Sequence, residues 1–463
     1  MLKLFHTYYP IRNLLFFLGE GGLIFLALII GIMVRFDGVI PVEEVRHSIW
    51  VRAFAITLVV QISLYYHDLY EVKSPHRMTE LGIRIVQAIG VACIILAALY
   101  FVYPPMIIEQ GVFFIGLFFL LFFLVSWRLV YQYVCKQSLF TERIMLIGSG
   151  NLAASIADEI QNNFDSGYRI HAVIDPSDAA GLANRIGANN CNDYEEMADN
   201  AIAMGIGKIV VALDQRRGSF PVKELLRCKM HGINVLDGVT FYEGLSGRIL
   251  VKKTPPSWLI FSEGFHRQKW VLWTKRLVDL LISGIILLIF WPVMLITAIA
   301  IKLGSRGPVF FSQVRTGYHN RDFTMVKFRT MVENAEALTG PVWAEEDDPR
   351  ITRVGNFLRK TRLDELPQLW NVLKGEMSFV GPRPERPKFV EQLAQKLPYY
   401  GERHSVKPGL TGWAQVRYGY GASELDALNK LEYDLFYVKH LSLALDFYIV
   451  LKTVEIVMFG RGR

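Results

Sequence analysis

Long apolar stretches dominate the first third of the chain. Four of them lie at residues 14–34, 49–66, 83–103 and 112–130. Each is close to the ~20 residues that an α-helix needs to cross the hydrocarbon core of a bilayer. We therefore predict a bundle of four transmembrane helices within residues 1–135. No small-residue cleavage site follows the first stretch, so we expect a membrane anchor there and not a removed signal peptide.

Lysine and arginine residues are distributed unevenly around these stretches. They cluster before the first stretch, between the second and third, and after the fourth: Lys3, Arg12, Lys73, Arg77, Arg84, Arg128, Lys136 and Arg143. The loop at residues 104–111 carries none. Because cytoplasmic loops of membrane proteins are enriched in Lys and Arg, this distribution predicts that both ends of the bundle are cytoplasmic. Charges of both signs follow the first stretch and leave that loop ambiguous.

Glu20 is an acidic residue near the start of the first stretch, among Gly19, Gly21 and Gly22. Ionisable residues inside membrane segments are costly and often functional. Since Glu20 lies close to the boundary of its stretch, the sequence favours a carboxylate at the membrane interface over a functional one.

The pattern changes to short apolar runs after residue 141. Runs at residues 143–148, 168–175, 208–213 and 233–236 read as strands, with helical patterns between them. This alternation predicts a parallel, doubly wound α/β sheet over residues 141–247. The fold class is therefore a membrane protein that combines α-helical and α/β parts.

A glycine-rich turn follows the first of these strands. Gly148-x-Gly150-x-x-Ala153 fits the dinucleotide fingerprint of a Rossmann-like domain, and Asp175 ends the next strand, where the ribose-binding acid stands. The same glycines are also compatible with a tight strand–helix turn alone. The sequence leaves both interpretations open.

The region from residue 248 to 301 has two parts. Residues 248–274 contain Pro255-Pro256 and several polar residues, which predicts a linker. Residues 275–301 are apolar, have basic residues on both flanks, and carry Pro292 near the middle. Proline removes a helix hydrogen bond, and basic flanks on both sides favour entry and exit at one membrane face. We predict a re-entrant helix broken at Pro292, with an ordinary fifth span as the alternative.

Residues 302–463 are expected to form a small α+β catalytic domain. Apolar runs at 310–313 and 323–328 read as two strands around a turn at 317–320. Strand alternation places Lys327 and Arg329 on one face, as a clamp for a diphosphate or as a solvated surface.

Composition narrows the class of protein and its partners. The chain is 52% hydrophobic with a formal net charge of +7, and its mean hydropathy is +0.28. It is too apolar for an ordinary soluble protein, and its charge suits anionic partners such as phospholipids or nucleotide diphosphates. Nucleic acid is not expected, because the basic residues lie near apolar segments and form no polar stripe. The four cysteines show no metal-ligand spacing, so we interpret them as structural thiols in a reducing compartment.

The most distinctive chemistry lies around Asp364 and Glu365. Pro367 falls in the first turn of a predicted helix that Gly375 ends, so Asp364 stands where an N-cap belongs. A helix N-terminus also favours phosphate, and Arg359 and Arg362 would keep the carboxylate ionised and nucleophilic. Paired carboxylates that face a diphosphate form a natural Mg²⁺ site. From the residues alone, capping and catalysis remain equally supported.

Several motifs in the last two-fifths of the chain resemble those of the bacterial sugar transferases, also called monotopic phosphoglycosyl transferases. They are Lys327-Phe-Arg329-Thr-Met, Arg362-Leu-Asp364-Glu365-Leu-Pro-Gln, Gly381-Pro-Arg-Pro384 and Lys407-Pro-Gly-Leu-Thr-Gly-Trp-Ala-Gln-Val416. The apolar stretches and the α/β region resemble the large members of this family, the polyprenyl-phosphate hexose-1-phosphate transferases.

The resemblance implies a mechanism and a set of site residues. The Asp of the pair attacks the β-phosphate of a UDP-sugar, UMP leaves, and the phosphosugar passes to polyprenyl phosphate with Mg²⁺ present. Asp364 would then be the nucleophile, and Glu365 its metal-associated partner. The remaining matches are Pro292 as the helix breaker and, as substrate-binding residues, Lys327, Arg329, Arg359, Arg362 and Arg383. Trp291 departs from the pattern, because the smallest members often have Ser before the proline.

Further expectations follow from the same resemblance. The catalytic domain is expected on the cytoplasmic face of the bacterial inner membrane, where it would start exopolysaccharide, capsule or O-antigen synthesis. Glucose or galactose is the expected sugar, and the resemblance leaves a homodimer open.

The chain's last third also carries a leucine stripe from Leu425 to Val438, which suits the core or the membrane surface equally. Residues 445–459 contain three charges and are expected to be packed or interfacial.

Two other functions compete with this interpretation. A membrane-tethered NAD-dependent nucleotide-sugar dehydratase or epimerase would use the Gly148 turn. Such enzymes need a Tyr-x-x-x-Lys pair close to their cofactor sheet, and this spacing occurs only at Tyr448 and Lys452. A non-catalytic scaffold would have no use for a carboxylate pair among basic residues.

Overall fold

The computed structural model describes residues 2–4, 7–9, 11–38, 48–70, 78–107, 110–137, 141–163, 166–175, 181–191, 193–213, 220–265, 268–333, 335, 348–419, 421 and 423–459. The chain divides into two compact units, Met1–Phe241 and Tyr242–Arg463.

The first unit begins with four long helices, which confirms the four predicted apolar helices. They are α1 (Ile11–Arg35), α2 (Ser48–Tyr66), α3 (Met78–Val102) and α4 (Gln110–Lys136). A short antiparallel pair, β1 (Leu2–Leu4) and β2 (Thr7–Tyr9), precedes them. All four helices are long and apolar enough to cross a membrane. Buried aliphatic side chains join them, and a Cβ on Gly31 would lie 2.9 Å from the backbone nitrogen of Gly116, so α1 and α4 approach closely.

Glu20 is buried between these helices, and its position relative to the membrane interface stays a prediction. Its carboxylate lies 2.7 Å from Arg128. Arg128 also donates a hydrogen bond to the Leu69 carbonyl at 2.6 Å. The pair satisfies both charges inside the helical assembly, which the local sequence around Glu20 does not reveal.

A five-stranded sheet follows, in the order β5-β4-β3-β6-β7 with all strands parallel. This confirms the predicted parallel α/β sheet. The strands are β3 (Glu142–Ile147), β4 (Tyr168–Ile174), β5 (Asn189–Cys191), β6 (Lys208–Val211) and β7 (Asn234–Asp237). The helices are α5 (Asn151–Asn162), α6 (Gly181–Ile186), α7 (Met197–Ala203), α8 (Val222–Met230) and α9 (Gly238–Ser246), in which the boundary between the units falls.

The glycine-rich turn after β3 is tightly built. Gly148 has a φ of 103°, and a Cβ there would lie 2.8 Å from the carbonyl oxygen of Ala212. Only glycine tolerates both conditions. Asp175 accepts hydrogen bonds from the Ser149 backbone nitrogen at 2.8 Å and hydroxyl at 2.7 Å. Gly150 caps α5 with a φ of −69°, which any residue adopts. The turn interpretation therefore explains Gly148, while nucleotide binding stays a prediction.

The second unit contains the remaining elements. The helices are α10 (Pro256–Phe261), α11 (Lys269–Gly304), α12 (Arg353–Thr361), α13 (Gln368–Lys374), α14 (Pro387–Lys396), α15 (Trp413–Arg417), α16 (Glu424–Lys439) and α17 (Leu443–Phe459). The strands β8 (Phe310–Thr316) and β9 (Asp322–Phe328) pair antiparallel, which confirms the predicted hairpin. The strands β10 (Ser378–Val380) and β11 (Gly409–Thr411) pair parallel.

Helix α11 runs through Pro292 without interruption. The expected break into two helices is therefore absent. Proline removes one backbone hydrogen bond and disturbs the preceding turn, but the surrounding turns of a 36-residue helix keep theirs. α11 also begins at Lys269, six residues before the predicted start. It is long and apolar enough to cross a membrane.

The C-terminal helices pack into the second unit. Leu428, Leu431, Leu435 and Val438 of α16 are buried, which assigns this part of the leucine stripe to the core, whereas Leu425 at its start is 65% exposed. A capping box at Ser423 and Asp426 starts the helix. In α17 the three charged residues are buried as well, as expected for a packed helix.

Candidate active site

The backbone around Asp364 differs from the predicted helix start. α12 ends at Thr361, and its C-cap residue Arg362 has a left-handed φ of 58°. A 3-10 helix, Leu363–Glu365, follows. Pro367 is the N-cap of α13, and neither this helix nor the 3-10 helix has a side-chain cap. The capping interpretation of Asp364 is therefore wrong, because the 3-10 turn moves the helix start past it. Gly375, with a φ of 86°, ends α13 as predicted.

Glu365 is buried and surrounded by three cations. Arg383 donates a hydrogen bond to its Oε1 at 2.6 Å, and Lys327 Nζ and Arg362 Nη1 lie 3.5 and 3.7 Å from the same oxygen. Burial raises the pKa of Glu365, but Arg383, Lys327 and Arg362 outweigh it and hold that pKa far below its ordinary value. Glu365 is therefore permanently ionised and fixes the three cations around the pair.

Asp364 shares this surround but has a different environment. Burial and the neighbouring charge of Glu365 raise the pKa of Asp364 to about 6, against the opposing effect of the three cations. Its Oδ1 is buried and has no hydrogen-bond partner among the residues that the structure describes. At neutral pH this carboxylate is mostly ionised and poorly solvated. Such a group is a good nucleophile toward an electrophile that the nearby cations can bind.

The three cations come from separate elements. Lys327 projects from β9, Arg362 from the turn after α12, and Arg383 from the turn after β10. Burial lowers the pKa of Lys327 to about 8, with Glu365 opposing the shift and Arg383 adding to it. Together they give the surroundings of Asp364 and Glu365 a positive charge, which favours binding of an anionic phosphate.

Glycines position the Arg383 turn. A Cβ on Gly381 would clash with the Lys407 carbonyl, and a Cβ on Gly412 would clash with the Gly381 carbonyl. The Gly381 nitrogen donates to the Thr411 carbonyl at 2.8 Å. The Gly-Pro-Arg-Pro and Lys-Pro-Gly-Leu-Thr-Gly motifs therefore cross each other, and the close backbone approach explains their glycines.

Two of the predicted substrate-binding residues, Arg329 and Arg359, donate hydrogen bonds to other parts of the second unit. Arg329 donates to the carbonyls of Ser305 and Arg306 at 3.0 and 2.7 Å, at the end of α11. Arg359 donates to the Thr330 hydroxyl at 3.0 Å. The clamp of Lys327 with Arg329 and a substrate contact of Arg359 therefore stay predictions.

Comparison with known proteins assigns the second unit to a family. A profile described as bacterial sugar transferase matches residues 270–460. An undecaprenyl-phosphate glucose phosphotransferase of Komagataeibacter xylinus is 32% identical over 72% of this chain and 63% of its own length. A UDP-glucose:undecaprenyl-phosphate glucose-1-phosphate transferase of Escherichia coli is 35% identical over 67% of each chain. The chain belongs to the bacterial sugar transferase family.

Other similarities refine this membership. A UDP-N-acetylgalactosamine-undecaprenyl-phosphate N-acetylgalactosaminephosphotransferase of Aeromonas hydrophila is 50% identical over 188 residues, which are 41% of this chain and 44% of that relative. The chain thus spans less than two thirds of the length of some relatives. A profile described as CoA-binding domain matches residues 66–235, which include the parallel sheet. The transferase match contains Asp364, Glu365 and their three cations.

This member of the sugar transferase family supports the Arg383 turn with residues that sequence reasoning missed. Arg403 donates to the Arg383 carbonyl at 3.0 Å, to Asp434 at 2.7 Å and to the Tyr400 hydroxyl at 2.7 Å. Arg315 donates to the Pro384 carbonyl at 3.1 Å. Asp434 of α16 is a buried carboxylate. The sequence offers one signal for this support, the cation Arg403 four residues before the Lys407 motif.

Side chains in the first turns of α11 bind β10, α13 and α17 of the second unit. Lys275 donates to the Val380 carbonyl at 2.9 Å and to Asp446 at 2.6 Å. Asp279 accepts from the Phe379 nitrogen at 3.0 Å. Arg276 donates to the last carbonyls of α13, a favourable place for a cation. The sequence had identified Lys275 and Arg276 only as flanking charges.

Proposed function

We propose that this protein transfers a hexose-1-phosphate from a UDP-sugar to undecaprenyl phosphate, with release of UMP. The observation that carries the proposal is the buried Asp364 oxygen without a partner among the described residues, next to three cations. The named relatives act on glucose or N-acetylgalactosamine donors and share the undecaprenyl-phosphate acceptor. Glucose and galactose are our first candidates, and N-acetylgalactosamine joins them through the relatives.

The proposed chemistry consists of two displacements at phosphorus. A carboxylate oxygen of Asp364 attacks the sugar-bearing β-phosphorus, and the bond to the bridging oxygen breaks, so UMP leaves with the electron pair. A phosphate oxygen of the lipid then attacks the same phosphorus, and the bond to Asp364 breaks. The carboxylate is restored, and the lipid carries a diphosphate-linked sugar. No oxidant or other reactant is needed.

The charged surround suits this chemistry. Two phosphates approach an ionised carboxylate, so like charges must be balanced before attack. Lys327, Arg362 and Arg383 provide fixed cations at the site, and Glu365 holds them in place. Groups fixed in advance stabilise developing charge without reorganisation. We therefore assign the three cations to diphosphate binding and Glu365 to their placement.

A Mg²⁺ ion fits the donor groups in part. The described residues contain no cluster of three or more His, Cys, Asp or Glu ligands. Mg²⁺ commonly takes only one or two protein carboxylates and completes its shell with phosphate oxygens and water. Asp364 has a partnerless oxygen, so Asp364 and Glu365 would hold the ion, which would supply charge neutralisation at the diphosphate. Glu365 is the weaker ligand of the two, since three cations already contact it.

We further propose that α11 enters and leaves one membrane face. Arg276 contacts α13 near its start, and Ile301 near its end packs with Phe328 and Leu358. In a straight helix these positions would be about 38 Å apart, yet both contact the second unit, Arg276 at α13 and Ile301 at β9 and α12. The apolar side chains between them are exposed, including Leu288 and Ile296. A bend at Pro292 reconciles both anchors with membrane insertion from the cytoplasmic side.

No observation favours the competing oxidoreductase. Lys452 of its candidate Tyr-Lys pair is buried and bound to Glu455 at 3.0 Å. Asp175 already accepts two hydrogen bonds from Ser149. The family's involvement in surface polysaccharide synthesis remains our proposal for the pathway, with this protein at the first, lipid-charging step.

A half-reaction assay tests the proposal. Enzyme, Mg²⁺ and UDP-sugar without lipid are expected to release UMP in a burst no larger than the enzyme concentration. The peptide that contains Asp364 should then carry a sugar-phosphate mass. Asp364→Asn keeps the shape but loses the charge, so it should fold and release no UMP. Glu424→Gln, which removes an exposed carboxylate paired with Lys396, is the matched control and should keep the burst.

Two results would contradict this mechanism. UMP that appears only after the lipid is added would indicate direct displacement. A full burst from Asp364→Asn would remove Asp364 from the chemistry. Both outcomes are read with UDP-glucose, UDP-galactose and UDP-N-acetylgalactosamine in parallel.

A further inference from the structure

Gln368 is a buried polar residue beside the Asp364–Glu365 pair with no role so far. Its side chain is 2% exposed. The amide nitrogen Nε2 has no hydrogen-bond partner among the residues that the structure describes. Burial of an amide donor without a partner costs free energy, so such a group calls for an explanation.

The position of Gln368 follows from its neighbours on α13 and the preceding turn. Residues three apart on a helical segment lie on the same face, and Gln368 stands three residues after Glu365 and three before Asn371. Asn371 contacts β9 at the Thr324 carbonyl and the Val326 nitrogen. Glu365 contacts β9 at Lys327. By this spacing Gln368 lies on the face of the segment that turns toward β9, between the positions of these two contacts.

Two partnerless groups thus lie within one helical turn of each other. Asp364 has a buried acceptor oxygen, and Gln368 has a buried donor nitrogen. A ligand that satisfies both must accept a hydrogen bond from the amide and present an electrophilic centre to the carboxylate. A phosphoryl group does both, because its non-bridging oxygens accept hydrogen bonds and its phosphorus accepts the nucleophile.

A neutral donor adds something that the cations do not provide. Lys327, Arg362 and Arg383 are attracted to Glu365 as well as to a phosphate. The amide of Gln368 carries no net charge, so it neither competes for Glu365 nor lowers the nucleophilicity of Asp364. A donor aimed at an oxygen whose charge grows during attack acts mainly on the transition state.

We propose that Gln368 is a catalytic residue that donates a hydrogen bond to a non-bridging oxygen of the phosphate attacked by Asp364. The inference rests on the proposed function, since it concerns the same phosphoryl group. It assigns to the helix after the Asp-Glu pair a direct contact with the donor substrate.

The first test replaces the donor by an apolar side chain of similar length. Gln368→Met should lower the kcat of UMP release by roughly 100-fold, as loss of one transition-state donor does, with a smaller change in KM. The melting temperature should be unchanged or higher, because the variant no longer buries an amide without a partner. Gln395→Met, at an exposed position on α14, should match the wild type in both measurements.

The second test measures the contribution of the proposed hydrogen bond between Gln368 and the phosphate oxygen. UDP-sugar analogues with sulfur in place of one non-bridging oxygen on the sugar-bearing phosphate weaken that acceptor. For one diastereomer, the rate loss caused by sulfur should be large in the wild type and several-fold smaller in Gln368→Met. This comparison uses residual activity and holds even where Gln368→Met is less stable.

The outcomes separate this inference from the proposed function. A wild-type protein that releases UMP, with Gln368→Met within about threefold of it, overturns the inference and leaves the proposed function intact. Equal sulfur effects in the wild type and the variant overturn it as well. A wild-type protein that releases UMP from none of the three UDP-sugars overturns the proposed function first, and the inference with it.

Discussion

Asp364 and Glu365 are adjacent in the chain, yet their environments drive their pKa values in opposite directions. Glu365 contacts three cations directly, and they hold its pKa low despite burial. Asp364 is buried with less direct compensation and feels the charge of Glu365, so its pKa is raised to about 6. Two titratable neighbours with separated pKa values commonly have separate roles in catalysis. In the proposed mechanism, this separation distinguishes Asp364 as the attacking carboxylate from Glu365, which organises the cations.

This difference predicts that Asp364→Asn is more stable than the wild type at pH 8. The folded-state pKa of Asp364 is raised from 3.8 to about 6, so the ionised form opposes folding. The resulting penalty is on the order of 3 kcal/mol above pH 6 and disappears as the pH falls below about 4. Asparagine does not titrate and carries no such penalty.

The measurement is the denaturation midpoint of both proteins from pH 4 to pH 8 in metal-free buffer. Other titrating groups are common to the two proteins and cancel in the difference. The stability gain of Asp364→Asn should shrink steadily from pH 7 to pH 4. A difference that stays constant over this range would show that burial of an ionised Asp364 is not costly.

At the scale of elements, α11 is held to the catalytic unit at both ends. Lys275 and Asp279 bind the backbone of β10 near its start. Arg329 binds the carbonyls after its last turn. Its middle is exposed and apolar, as a surface that faces lipid would be. Anchors of this kind make the helix part of the second unit.

The two anchors predict that both ends of α11 are on the cytoplasmic side. Trp273→Cys and Leu303→Cys, at exposed positions near the two ends, would be placed one at a time in a chain without the four native cysteines. An impermeant thiol reagent should label neither in intact cells, and both after the inner membrane is opened. Labelling of either residue from the outer side of the membrane would identify α11 as an ordinary span.

At the scale of the whole molecule, residues 243–251, which cross the predicted boundary between the α/β domain and the linker, pack into the second unit. Glu243 lies 2.9 Å from Lys439 and 2.7 Å from His440. Trp413 donates to the Gly247 carbonyl at 2.7 Å, and Glu432 binds the Val251 nitrogen at 3.2 Å. Residues 243–251 therefore stabilise α15 and α16, far along the chain from them.

These contacts predict different stabilities for two truncated chains. Residues 238–463 keep the partners of Lys439, whereas residues 269–463 leave that buried ammonium without Glu243. Loss of one partner of a buried ion pair costs about 3–5 kcal/mol, so the shorter fragment should melt at a clearly lower temperature. Both should release UMP when folded, because Asp364, Glu365 and the three cations all lie after residue 269.

Thermal melts and UMP release of the two purified fragments check this prediction. Equal melting temperatures would mean that the Glu243 contacts contribute little. A folded 238–463 fragment without UMP release would instead show that the first unit contributes to the chemistry.

The sequence by itself determined the features that depend on local pattern. Four apolar helices, the parallel sheet, the β8–β9 hairpin and the helix end at Gly375 follow from hydrophobic period and glycine placement. The Asp364–Glu365 pair and the family membership follow from motifs that lie close together in the chain. These signals are local, so neighbouring residues carry them completely.

Only the tertiary structure decided which charged residues meet. Arg329 directly follows the strand that carries Lys327, yet its guanidinium binds the carbonyls at the end of α11. Arg403 reaches Arg383 and Asp434 across 20 and 31 positions of chain. Asp364 lies within a 3-10 helix and not at the expected N-cap. One of its carboxylate oxygens is buried without a hydrogen-bond partner in the described chain. Such pairings depend on how distant elements pack, and no local pattern encodes that packing.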